Sequence, residues 1–68
     1  MDKYYVNKNA QLNGDHEVHK ENCSYLPDKK NLICLGSFDN CYDAVREARN
    51  HYNQVNGCYW CANACHTG

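Results

Sequence analysis

Between Lys3 and Asn9 apolar and polar positions alternate, with Tyr4 and Val6 on one face and Tyr5 on the other. That two-residue period predicts a first strand with one face buried. Asn13-Gly14-Asp15 follows as a turn signal, because Asn-Gly accepts positive φ at little cost. The economical reading is a hairpin returning through Glu17 to Lys20, which carries His16 and His19 towards Cys23. Pro27, without an amide hydrogen, closes this segment in a turn before Asp28-Lys29-Lys30. Leu32-Ile33-Cys34-Leu35 is a short apolar run ended by Gly36 and predicts a buried strand, with Cys34 packed inside it. From Cys41 the period changes. Cys41, Ala44, Val45, Ala48 and Tyr52 recur at three- and four-residue spacing, while Arg46, Glu47, Arg49 and Asn50 take the other face. This predicts an amphipathic helix of about three to four turns, capped by Asn40 or Asp39 with Asp43 three residues on, and with Phe38 as a hydrophobic staple. Ala62, Ala64 and Cys65 predict a short terminal helix. No repeat, linker or low-complexity segment interrupts the chain. The expected architecture is a single small α+β domain over residues 1–68, with a short antiparallel sheet (a hairpin plus a further strand), one main helix and a short C-terminal one.

Length changes how this pattern must be held together. A chain of 68 residues removes little apolar surface from water relative to the conformational entropy it loses, so a staple is expected. Six Cys and four His offer two kinds, disulfides or a metal, and the redox compartment selects between them. The opening Met1-Asp2-Lys3-Tyr4-Tyr5-Val6 shows neither the basic nor the apolar region of a secretory signal, which points to the cytoplasm, reduced thiols and metal. No apolar run approaches the roughly 20 residues of a membrane helix. Seven Lys and Arg against eight Asp and Glu give a net charge of -1, which disfavours binding to duplex DNA.

Two half-sites carry the metal chemistry. His19-x-x-x-Cys23 and Cys58-x-x-Cys61 together supply four Cys and His donors, the usual complement of a tetrahedral structural zinc ion. His16 stands three residues from His19 and falls on the opposite face of a strand. Cys65, four residues after Cys61, is the substitute ligand the spacing allows, and His66 is an outer donor or a solvated residue. Cys34 and Cys41 are expected to pack in the core; paired with each other as a disulfide they would weaken the zinc reading. His51 is expected to be exposed. Tyr59 and Trp60 lie within the Cys-x-x-Cys turn, where they either face a partner or cover apolar surface over the helix.

The order Tyr5-Val6-Asn7, His19-x-x-x-Cys23, Leu26, Leu35-Gly36-x-Phe38, Ala44, Gly57 and Cys58-x-x-Cys61 resembles the small zinc-binding module of the Ada DNA-repair protein and related modules appended to bacterial nucleases. The resemblance spans about Tyr4 to Cys61 and implies a small sheet and a helix clipped by one zinc ion. In Ada the first Cys of the upstream pair both binds zinc and accepts a methyl group. His19 stands there in this chain, and an imidazole is no thiolate nucleophile, so the resemblance does not carry that chemistry over. The appended nuclease modules, with His first and Cys second, are the nearer likeness. The tail Cys65-His66-Thr67-Gly68 and the long insert between Cys23 and Cys58 depart from the Ada pattern.

These features favour a non-catalytic zinc module that binds a protein or a single-stranded nucleic acid. Two alternatives belong to other classes. One is a thiol redox protein using Cys58 and Cys61; the other is a disulfide-stapled domain without metal.

Overall fold

The computed structural model describes residues 1–67, so Gly68 and the end of the predicted 1–68 span lie outside it. Strands β1 (Asp2–Asn7), β2 (His16–Lys20), β3 (Leu32–Phe38) and β4 (Val55–Gly57) form one sheet in the order β3-β1-β2-β4. Helix α1 (Cys41–Ala48) packs on it, and single 3-10 turns occupy Lys29–Asn31 and Asn63–Cys65. The protein is thus a small α+β fold.

The alternation in β1 works as expected. Tyr4 and Val6 are buried and join Val18, Leu35, Ala44, Val45 and Ala48 in one apolar cluster, with Tyr5 on the other face. β1 and β2 are antiparallel, with Val6 opposite Val18 and Tyr5 opposite His19. Between them Gly14 adopts φ 92°, which an L side chain rarely tolerates. Asn13 Oδ1 accepts the Asp15 amide at 2.9 Å and tightens the same loop.

β3 pairs with β1 through an irregularity between Tyr4 and Tyr5, whose partners are Gly36 and Cys34. Leu35 is the extra residue. It turns into the core, Gly36 takes φ 110° to allow the bulge, and Cys34 falls on Tyr5's face. Cys34 is therefore exposed, against the expectation of a packed thiol, because a strand inside an apolar run still presents alternate residues outward.

Asn40 caps α1 as expected, its Oδ1 accepting the Asp43 amide at 2.9 Å. The helix is shorter than the three to four turns expected. Its last apolar position, Ala48, is followed by Arg49, Asn50 and His51, all exposed, and no side chain there packs well enough to offset the weak helix propensity of Asn and His. Tyr52 still reaches back, its amide donating to Ala48 O at 3.1 Å.

β4 was not foreseen. Three residues are too few to show a period, and β4 joins β2 in parallel, so the sheet is mixed rather than purely antiparallel. Buried Asn56 holds it in place. Its Nδ2 donates to Asp15 Oδ2 at 3.2 Å and to Thr67 O at 2.9 Å, and its Oδ1 accepts the Thr67 amide at 2.9 Å. Gly57 lets the last turn sit directly on the strand: a Cβ there would lie 2.7 Å from both Ala62 O and Cys65 Cβ. The expected terminal helix is only that 3-10 turn. It is tied to α1 by a Cys41–Cys65 disulfide with a Cα–Cα distance of 6.2 Å.

Candidate metal centre

Strand alternation places Val18 and His19 on opposite faces of β2, yet both are buried. Val18 lies in the apolar core. His19 is covered by the chain that follows β4, whose course is fixed by backbone bonds. The Cys58 amide donates to Val18 O at 2.9 Å, and the Ala62 amide closes the Cys58–Cys61 turn by donating to Cys58 O at 2.9 Å. Upstream, the Cys23 amide donates to Lys20 O at 3.1 Å and folds Cys23 back beside the end of β2.

These turns bring one donor atom from each of His19, Cys23, Cys58 and Cys61 within 4.8 Å of one another. Cys23 Sγ lies 3.9 Å from Cys58 Sγ, and Cys61 Sγ 4.0 Å from His19 Nδ1. A tetrahedron with Zn–S of about 2.3 Å has S···S edges of roughly 3.8 Å, so the spacing and the donor chemistry both fit one zinc-sized ion. The surroundings fit as well. His19 Nε2 lies 3.4 Å from Glu17 Oε1, and an Nε2–H aimed at that carboxylate leaves the Nδ1 lone pair facing the sulfurs. The Lys20 amide donates to Cys61 Sγ at 3.2 Å and the Tyr25 amide to Cys23 Sγ at 3.4 Å, bonds that steady a thiolate.

Without a cation the site is electrostatically costly. Burial pushes the Cys58 thiol up, against the opposing pull of the Cys61 and Trp60 amides, and pushes Cys61 up to about 12. Burial also lowers His19, with Glu17 pulling the other way. The protein part alone therefore favours neutral thiols and a neutral imidazole, and a dication is what would reverse the preference of the thiols.

The other residues singled out in the sequence stand elsewhere. His16 stacks on Tyr52 with ring centroids 3.7 Å apart, its Nδ1 2.9 Å from Asn7 O, away from the cluster. Cys65 is no substitute ligand: it is bonded to Cys41, the partner neither thiol was expected to have. Spacing hid the pair, since 24 residues separate them and only the packing of the last turn on Gly57 joins them. Cys34 has no part in a bridge. His66 Nδ1 lies 3.0 Å from Gly57 O, with its ring edge-on to Tyr59. His51 is exposed, as expected.

Tyr59 and Trp60 project into solvent at 52% and 65% exposure rather than lying over α1. Trp60 stacks on Tyr25 at 5.3 Å and meets Tyr59 edge-on at 4.9 Å, so three exposed aromatic rings touch in series. Beside them opens a cleft of about 410 Å³ lined by Lys20, Ser24, Tyr25 and Trp60, with Cys23 and Cys61 at its wall. Tyr25 and Glu17 were missed in the sequence. Glu17 carried a usable signal, since residues two apart on a strand share a face.

Comparison with protein-family models, with characterised proteins and with solved structures finds no match.

Proposed function

We propose that His19 Nδ1 and the thiolates of Cys23, Cys58 and Cys61 hold one zinc ion, and that the protein is a non-catalytic binding module built around it. The observation that carries this reading is the convergence of three sulfurs and one oriented imidazole nitrogen within 4.8 Å. A soft S₃N donor set at tetrahedral spacing suits zinc above the harder divalent ions. Four protein donors fill such an ion's sphere and leave no place for an activated water, which argues against hydrolysis. The Ada likeness remains one of pattern, with His19 in the position where methyl transfer needs a thiolate.

Tyr25, Trp60 and Tyr59 are the contact surface in this reading, held out by the metal-bound turns and offered to a protein or to the bases of a single strand. The redox alternative draws no support from the thiols, since the first Cys of a reactive Cys-x-x-Cys needs access to solvent and a depressed pKa, and Cys58 is buried and pushed up by that burial.

Native and denatured masses of protein purified without chelator test the metal reading. One additional zinc in the native species is expected; a native mass equal to the bare chain contradicts it. For the surface, Trp60→Ala is expected to leave the melting temperature within a few degrees, given that residue's exposure, and to weaken capture of a partner. A melted fold would assign Trp60 to structure.

A further inference from the structure

The three sulfurs of the cluster are not equally open to attack. Cys58 is 1% exposed, whereas Cys23 and Cys61 are half-buried and stand at the wall of the cleft beside Trp60. The amides divide them further. Cys58 is held by the Cys61 and Trp60 amides, Cys61 Sγ takes the Lys20 amide at 3.2 Å, and Cys23 Sγ takes the Tyr25 amide at a longer 3.4 Å. Each N–H on a thiolate sulfur engages the electron pair with which that sulfur would attack. Cys23 is therefore reachable from solvent and the least restrained of the three, and Cys58 Sγ lies 3.9 Å from it. An accessible thiolate with a second thiol poised beside it is the arrangement that reversible cysteine oxidation requires.

We propose that Cys23 is an oxidation site, at which a hydroperoxide converts the metal clip into a Cys23–Cys58 disulfide. The inference rests on the zinc reading, because metal ligation is what keeps Cys23 a thiolate. The Cys23 sulfur attacks the terminal oxygen of the hydroperoxide and the O–O bond breaks. The alkoxide or hydroxide that leaves takes a proton from water, and Cys23 becomes a sulfenic acid. The Cys58 thiolate then attacks Cys23 Sγ, the S–S bond forms, and the hydroxyl departs as water with a second proton from solvent. Two thiolates are oxidised and one peroxide is reduced. His19 and Cys61 alone remain as donors, too few for a structural zinc site. The consequence reaches the aromatic surface. Tyr25 lies two residues beyond Cys23 and Trp60 two beyond Cys58, so closing 3.9 Å to a bond of about 2.0 Å disturbs the stack those rings make at 5.3 Å. The change is reversible in this fold, since the new bridge joins the two half-sites and the Cys41–Cys65 bridge still ties the last turn to α1.

The test uses the zinc-loaded full chain carrying Cys34→Ala, which removes an exposed thiol that would compete for oxidant. Excess hydrogen peroxide should release one zinc per chain to a chromogenic chelator and give the mass loss of one disulfide, mapped to Cys23–Cys58. It should also shift the fluorescence of Trp60, the chain's only tryptophan. Dithiothreitol followed by fresh zinc should reverse all three changes, and dimedone present during a parallel reaction should label Cys23. Zinc retained through prolonged exposure to peroxide overturns the proposal, as does a dimedone label on Cys61 or a bridge mapped to Cys58–Cys61. A chain that carries no zinc before peroxide is added overturns the metal reading, and this inference with it.

Discussion

The two faces of β2 are buried by different means. Under Val18, Tyr4, Val6, Leu35 and the small residues of α1 close an apolar core. Around His19 stand three thiols and the amides that point at two of them. The first face gains free energy simply by leaving water. The second loses it unless something compensates the buried donors. One helix and half a sheet can therefore assemble by themselves, whereas the Cys23 and Cys58–Cys61 turns depend on what they hold. In a chain of 68 residues the first kind of stabilisation is small, so the second weighs heavily.

Breaking the second face should cost most. Cys23→Ala, or removal of the ion by a strong chelator, is expected to unfold the turns around His19 and to remove the largest single share of the domain's stability, since a structural zinc ion contributes on the order of 10 kcal/mol to folding. Hydrogen exchange reads this directly, and unchanged protection at Cys58 and Ala62 in Cys23→Ala would remove that residue from the ligand set. Opening the first face should cost less. Cys41→Ser frees a bridge spanning 24 residues and should lower stability by about 3 kcal/mol in urea titrations, with the metal still bound. Loss of the metal together with the bridge would show that the two faces are not separable.

A pH titration sharpens the contrast. In metal-free protein, His19 lies below its ordinary 6.5, so the unfolded chain takes up the proton first and stability falls as pH drops through 6.5. Cys58 and Cys61 lie above their ordinary 9.0, so the unfolded chain loses those protons first and stability also falls as pH rises past 9.0. The metal-loaded protein should lose the alkaline dependence, its thiols being already ionised, and keep an acid one as protons compete for the ligands. Tyr4 in the apolar core, raised from 10.0 chiefly by burial, adds a loss above pH 10 common to both forms. The window between pH 9 and 10 separates them. The smallest effect is expected at Cys34, where Ala should change stability by less than about 0.5 kcal/mol because the side chain is exposed.

The same contrast governs what could be read from the chain. β1, β2, the Asn40 cap and the inner face of α1 follow from periods and caps that each residue displays locally. The four donors were legible because each half-site is a local spacing on a local turn. What escaped depends on contacts made only in the folded molecule. β4 exists because Asn56 is clamped by Asp15 and Thr67. The Cys41–Cys65 bridge exists because Gly57 lets the last turn approach. Cys34 was misplaced for a subtler reason: an apolar run shows no alternation, and only its register on β1, with Ile33 opposite Val6 and Cys34 opposite Tyr5, sets which residues face inward.

Zinc K-edge X-ray absorption on the purified protein tests the central claim most directly. The account predicts one nitrogen at about 2.0 Å and three sulfurs at about 2.3 Å, with the nitrogen lost in His19→Ala. A shell of four sulfurs, or one dominated by oxygen and nitrogen, would contradict it.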